Sequence, residues 1–330
     1  MKQFMRAFTL GVLVLVAPVI GAAPGPVTAT ATNSTTSARF TWHDAKRDRD
    51  VPVKIYSPAT APGPFPVIIF SHGLGGTREN YEYLGRYWAS HGYVSVQVQH
   101  HGSDDAVWRG AGLGNGMAAM RQAVADPRNA INRPRDVSFV IDELERLNRE
   151  SPSFQGRLDL NRLGVAGHSF GAFTALAIAG QVFAPGAKTE SSLADPRVKA
   201  VIAMSAPVPA NKQRLDESYA QVRIPCLHMT GTRDASPIGD TLPEERRMPF
   251  DHCRNSDQYL ITFQDGDHMI FSGRRQASKQ DRAFQGLICE SSTAFWDVYL
   301  RGDGQAKAWL TNDFKAVLGT NGTFEIKLSK

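Results

Sequence analysis

Leu163-Gly164-Val165-Ala166-Gly167-His168-Ser169-Phe170-Gly171-Ala172 decides how this chain is read. Residues 163–166 form a short apolar run suited to a buried strand, and the segment from Phe170 to about Gln181 predicts a helix. Between them lies the pattern G-x-S-x-G, whose serine would sit at the tip of a sharp strand-to-helix turn. The flanking Gly167 and Gly171 have a steric reason, because side chains there would collide across so tight a turn. The helix start also aims backbone N–H groups at charge developing beside Ser169.

Outward from this turn the chain alternates. Arg39–His43 and Val51–Tyr56 predict an antiparallel hairpin joined by a charged turn around Asp44–Asp50. Val67-Ile68-Ile69-Phe70 predicts a strand buried on both faces, followed by the glycine-rich Gly73-Leu74-Gly75-Gly76. A helix from about Arg78 to Ser90 and a strand Tyr93–Val98 come next. Residues 101–132 lack a clean period and read as a long loop or an irregular helical excursion, a candidate substrate-facing loop or partial lid in which Trp108 and Met117 equally fit ordinary packing. A helix over Arg133–Asn148 precedes the central turn. Strands at Val198–Met204, Pro225–Thr230 and Gln258–Phe263 follow it, then a helix over Asp281–Tyr299. Strand and helix in regular alternation predict a mostly parallel central sheet covered by helices on both faces, with an antiparallel start. No composition break divides residues 38–330, which read as a single domain.

The amino terminus differs in character. Lys2 and Arg6 precede the uncharged run Ala7–Ile20 and the small residues Gly21, Ala22 and Ala23, the order of a secretory signal. Residues 1–31 are therefore expected to be a signal peptide and flexible start, with cleavage near 22–31 and an exported, periplasmic or secreted product. The run is shorter than the roughly 20 apolar residues of a membrane-spanning helix, so no stable span is expected once the signal is removed. Losing Lys2 and Arg6 from the 37 basic residues, against 32 acidic ones, leaves a formal charge of +3, and no basic run makes a case for nucleic acid. Cys226, Cys253 and Cys289 fit neither a metal cluster nor a disulfide scaffold. One bridge between Cys253 and Cys289 is the expectation in an exported chain, since Cys226 falls in a predicted buried strand; three free thiols is the alternative.

A serine hydroxyl needs a base within hydrogen-bond reach, usually a histidine oriented by a carboxylate. Asp234, just past the strand ending at Thr230, and His268, just past the strand ending at Phe263, both fall at the carboxyl edge of the sheet, in the chain order Ser, Asp, His. Asp265 and Asp267 remain substitutes for the acid. His43 belongs to the hairpin, His228 to a strand, His91 and His252 to surface or capping positions, and His168 cannot easily reach back to its neighbour's hydroxyl. One oxyanion donor is expected from the amide of Phe170 and the second from the loop Ser71–Gly76. That loop is no phosphate cradle, because neither a following Lys-Ser or Lys-Thr nor a G-x-G-x-x-G spacing is present.

Ser71-His72-Gly73-Leu74-Gly75-Gly76, Ser90-His91-Gly92-Tyr93-Val94 and Gly167-His168-Ser169-Phe170-Gly171 together resemble the platelet-activating-factor acetylhydrolase and dienelactone-hydrolase-like branch of the α/β hydrolases, with chlorophyllases and cutinases more distant. The resemblance spans roughly Phe65 to His268. It implies an α/β-hydrolase fold, Ser169 as nucleophile, Leu74 and Phe170 as oxyanion amides, and hydrolysis of small-molecule or lipid carboxylic esters through an acyl-enzyme without metal or organic cofactor. Two departures stand out. The acetylhydrolases carry the acid soon after the strand next to the nucleophile, where this chain has Met204-Ser205-Ala206-Pro207, so Asp234 takes the role. Dienelactone hydrolases use cysteine where this elbow has Ser169. Two other readings compatible with the sequence are a catalytically silent binding protein on the same scaffold and an exported serine peptidase; oligomeric state is not legible.

Overall fold

The computed structural model describes residues 34–183, 192–273 and 278–329. The expected signal segment, residues 1–31, lies outside the described residues. Nine strands form one sheet: β1 Thr35–Asp44, β2 Arg49–Pro58, β3 Phe65–Ser71, β4 Val94–Val98, β5 Leu158–His168, β6 Val198–Met204, β7 Cys226–Arg233, β8 Gln258–Asp267 and β9 Gly322–Lys327. Their order is β1-β2-β4-β3-β5-β6-β7-β8-β9. Strands β3 to β8 run parallel, while β1, β2 and β9 add antiparallel edges. This is the α/β-hydrolase fold. The chain steps from β3 outward to β4 and then back across β3 to β5, so strand order reverses between β3 and β5. In open parallel sheets a crevice forms at the carboxyl ends of such a pair.

The helices are α1 Glu82–Ser90, α2 Ala106–Arg109, α3 Gly116–Ala125, α4 Pro127–Glu150, α5 Phe170–Ala179, α6 Leu215–Tyr219, α7 Met248–His252, α8 Lys279–Trp296, α9 Gly304–Ala308 and α10 Phe314–Leu318. Alternation along β3 sorts its side chains between two layers. Val67 and Ile69 pack with Val137, Ile141 and Leu144 of α4 and Leu176 of α5. Ile68 and Phe70 face the opposite side, with Leu84 and Trp88 of α1 and Ile288, Phe295 and Trp296 of α8. Trp88 Nε1 donates to Ser292 Oγ at 2.9 Å, joining α1 to α8 through the one polar atom of a fully buried indole.

Several boundaries differ from the sequence reading. Helix α4 begins at Pro127, six residues before the expected Arg133, because Asp126 caps it by accepting from Arg128 N at 2.9 Å and Pro127 supplies a preset first turn. Helix α1 begins four residues late, at Glu82. Strand β9 and the short helices α9 and α10 had no expectation, their apolar residues being too few per segment to show a period. The bridge between Cys253 and Cys289 does not form: all three cysteines are free, and these two are buried in core layers on opposite sides of the sheet. Cys253 instead shares its layer with Cys226. No helix among the described residues is long and apolar enough to cross a membrane.

His228 lies on β7 between α7 and the sheet. Its Nε2 donates to Gln258 Oε1 at 2.9 Å, and its buried Nδ1 has no partner. Burial pulls its pKa down to about 4. In an unfolded chain the value is about 6.5, so between these limits only the unfolded state takes up the proton. The contribution is complete above about pH 6.5 and is lost as pH falls through about 4. The thermal midpoint is therefore expected to drop over this window, and less steeply in His228→Leu; equal slopes in the two proteins would contradict it.

Candidate active site

Ser169 sits between the end of β5 and the start of α5 with φ 56° and ψ −118°, a left-handed geometry that costs a non-glycine residue about 1–3 kcal/mol. Two features hold it there. Ser169 N donates to Met204 O of β6 at 2.8 Å, and Gly167 and Gly171 allow the turn to close. A Cβ on Gly167 would overlap the Gly171 carbonyl, and one on Gly171 would overlap the Ser71 carbonyl at the end of β3.

The strand ends β7 and β8 bring the other two groups to this serine. His268 Nε2 lies 2.9 Å from Ser169 Oγ, and His268 Nδ1 lies 2.7 Å from Asp234 Oδ1. Asp234 is fully buried, and His268 is 7% exposed. The carboxylate accepts only, so Nδ1 donates to it and Nε2 keeps its lone pair toward Ser169 Oγ. Asp234 Oδ2 accepts from Ser205 Oγ at 2.6 Å and from Thr230 Oγ1 at 2.8 Å. The substitutes considered for the acid are engaged elsewhere. Asp265 pairs with Arg233 at 2.9 Å, and Asp267 Oδ1 accepts from Met269 N.

Sequence reasoning passed over three residues that support this line. Ser205 occupies the place where the acid was missed after β6, and its hydroxyl donates to the acid supplied by β7. Arg246, from the turn Pro243–Arg247, has Nε 3.4 Å from Asp234 Oδ1 and donates to the carbonyls of Asp234, Ser205 and Ala206. Burial holds its pKa below the usual arginine value against the pull of Asp234. Tyr81 donates to His168 Nδ1 at 2.9 Å while His168 Nε2 donates to the His268 carbonyl at 2.9 Å, so His168 fixes the backbone of His268. His168 thus does not bond Ser169, as its place in the turn implied.

The loop after β3 carries Leu74. Gly73 N donates to Tyr81 OH, Gly75 N to Ser103 O and Gly76 N to Gly73 O, which fixes the backbone on both sides of Leu74. Phe170 is the first residue of α5, where an N–H has no partner inside the helix. A cleft of about 230 Å³ opens over Ser169 and His268 and is walled by Leu74, Met117, Met120, Ile238 and Met269. The excursion at 101–132 thus reaches the site through α3. Met117 lines the cleft, whereas Trp108 donates its indole N–H to Gly75 O at 3.1 Å.

A second Ser, His, Asp line runs beneath the first. Ser71 Oγ lies 2.9 Å from His100 Nε2, and His100 Nδ1 lies 2.9 Å from Asp136 Oδ2. All three residues are fully buried, so no substrate reaches them. Burial and the neighbouring Arg133 pull His100 down to about 4, leaving it neutral. Burial pushes Asp136 up, but hydrogen bonds from His100 and Arg49 prevail and hold its carboxyl at about 2. Arg133 remains charged near neutral pH although burial pulls it down to about 9.

With this geometry in view, two family models match the chain. One, described as platelet-activating factor acetylhydrolase, isoform II, covers residues 28–109; the other, serine hydrolase (FSH1), covers residues 119–279. The chain has the α/β-hydrolase fold and is similar to these families over the residues matched. Platelet-activating factor acetylhydrolase of Cavia porcellus is 29% identical over 153 residues, 38% of this chain and 34% of the relative. That of Canis lupus familiaris is 26% identical over 151 residues, with the same two shares. The matches thus span about a third of each relative's length, and the chain is similar to that branch over this part.

Ser205→Ala removes one of the two hydroxyls on Asp234 Oδ2. Loss of a buried hydrogen bond to a charged group costs roughly 1–3 kcal/mol. Urea unfolding at pH 7 should show a loss in that range, and an unchanged midpoint would mean that the hydroxyl contributes nothing.

Proposed function

We propose that this chain hydrolyses carboxylic esters, with Ser169 as nucleophile, His268 as base and acid, and Asp234 as the group that orients and charges against the imidazole. The observation that carries the reading is the continuous line from Ser169 Oγ through both ring nitrogens of His268 to Asp234, opening on a cleft. As Oγ attacks the ester carbonyl, His268 Nε2 takes its proton, and the imidazolium is stabilised by the buried carboxylate. In this reading the amides of Leu74 and Phe170 receive the charge on the carbonyl oxygen. Collapse breaks the ester C–O bond, the imidazolium returns the proton to the departing alcohol, and Ser169 is left acylated. Water, deprotonated by the same imidazole, then releases the acid and restores the serine. Besides the ester and one water, these steps use only groups of the chain.

The apolar walls of the cleft favour an uncharged, compact group beside Ser169, and its size lies below the roughly 300 Å³ at which drug-sized ligand pockets begin. The substrate class proposed is a small-molecule or lipid ester. The charged, apolar, small-residue order of residues 1–23 supports export by a cleaved signal.

A fluorophosphonate probe should label the protein on Ser169 and leave Ser169→Ala unlabelled, and p-nitrophenyl esters of graded acyl length should be turned over faster than peptide anilides. Asp234→Asn leaves the imidazole in the wrong tautomer and should lower kcat on the order of 10³–10⁴-fold. Labelling of Ser169→Ala, or near-parental turnover in Asp234→Asn, would remove the basis of the assignment.

A further inference from the structure

Arg133, on α4, is fully buried beneath the turn that carries Ser169. Its Nη2 donates to Ser71 Oγ at 3.0 Å and also to the His72 carbonyl, on the strand end that leads into Leu74. Its Nη1 donates to Ser103 Oγ at 2.8 Å, and the Ser103 carbonyl in turn accepts from Gly75 N, on the other side of Leu74. Its Nε donates to Thr174 Oγ1 at 3.0 Å, and that hydroxyl donates to the carbonyl of Phe170. The guanidinium lies 4.6 Å from the centre of the Phe170 ring, within range of a cation–π contact. One planar cation therefore touches the segments on both sides of Leu74 and the first turn of α5.

We propose that Arg133 is a positioning residue that sets the distance between the two oxyanion donors, the amides of Leu74 and Phe170. The inference rests on the ester-hydrolase reading above. Beyond the direct pairing of β3 with β5, Arg133 is a side chain that reaches both donor segments at once. A guanidinium suits this task because its donors diverge in one rigid plane, whereas an ammonium presents a single movable point. The hydroxyls of Ser71, Ser103 and Thr174 each meet one edge of that plane. Beneath it, His100 and Asp136 hold Ser71 from the far side. An oxyanion site acts on the transition state far more than on bound ester, so misplacing its donors should lower kcat and leave KM nearly unchanged.

The test compares Arg133→Lys with Arg301→Lys. Arg301 bonds the carbonyls of His91 and Gly92 ahead of β4, at the amino edge of the sheet, and serves as a control for loss of a partly buried, carbonyl-bonding arginine away from the site. On a short p-nitrophenyl ester, Arg133→Lys should lose about 10²-fold in kcat with KM within about twofold of the parent, and should lose affinity for an alkyl boronic acid by a similar factor. Arg301→Lys should change thermal midpoint but neither kinetic constant. Where Arg133→Lys does not fold, the double variant Ser103→Ala with Thr174→Val removes two of the links and should show the same split. A kcat within threefold of the parent, a change confined to KM, or an equal fall in kcat for Arg301→Lys would overturn the proposal. Ser169→Ala separates the two levels: if it still hydrolyses the ester the underlying reading fails, and if it is inert while Arg133→Lys is normal only the positioning role fails.

Discussion

The left-handed backbone at Ser169 is the constraint on which the rest of the site depends. A serine at φ 56° is unfavourable in isolation and persists because the neighbouring structure leaves no alternative. Met204 O holds its amide, and α5 is drawn so near the end of β3 that Gly171 has no room for a side chain. Relaxing the turn would mean separating β3 from α5, and with them the buried valines and leucines of α4 and α5 that pack on that face of the sheet. Core burial, worth about 1.5–3 kcal/mol for each fully buried aliphatic side chain, therefore exceeds the local strain by a wide margin. The energy of the layer is what places the hydroxyl where a histidine from β8 meets it.

Under that turn the protein buries charge, and the arrangement is better understood as specifying geometry than as adding stability. Asp136 faces Arg47, Arg49 and His100, while Arg133 one turn away bonds only neutral oxygens. Removing such groups from water costs several kcal/mol per ion, which mutual attraction repays only with good geometry. The neutral state of His100 keeps the cluster from carrying a further cation. Each member has directional requirements that an apolar filling would lack, so the hairpin turn, α4 and the end of β3 meet in a single register. The second Ser, His, Asp line has no cleft over its serine and its hydroxyl also accepts from Arg133, so a like order of residues does not by itself make a reactive serine.

Fold and site were legible to different depths for a physical reason. Buried strands such as Val67–Phe70 and Val198–Met204 announce themselves through consecutive apolar residues, and the glycine-framed elbow through steric necessity; both signals are local. Asp234 and His268 could be placed because each directly follows such a strand. The sequence marks Asp44–Asp50 as the charged turn of a hairpin without showing where its charges point, and Arg47 and Arg49 turn inward to Asp136, nearly ninety positions away. Ser205, Arg246 and Arg133 were missed for the same reason, since their partners are distant in sequence and nothing in their neighbours marks them as inward-facing. A charged residue inside an amphipathic helix offers one available hint: Arg133 lies one turn before the apolar stripe of Val137 and Ile141, on the face that α4 buries. The cysteine expectation failed on topology, because the chain separation of Cys253 and Cys289 says nothing about which side of a sheet each thiol occupies.

Two strand ends, those of β6 and β7, converge beside the His268 imidazole. An imidazole on the turn after β8 must be met by a carboxylate from a neighbouring strand end, and both β6 and β7 terminate close enough to supply one. Here Ser205 after β6 and Asp234 after β7 touch at 2.6 Å, so the two candidate places are in contact. The Asp234 carboxylate at the end of β7 is buried completely, and leaving either oxygen without a donor would cost its desolvation penalty. Ser205 supplies one, Thr230 another, His268 a third, and Arg246 stands at the fourth position while tying the backbone after β6 to the backbone after β7. A hydroxyl at residue 205 thus serves the carboxylate from the next strand end, whereas a second carboxylate at that place would set two like charges within hydrogen-bond distance in a buried setting.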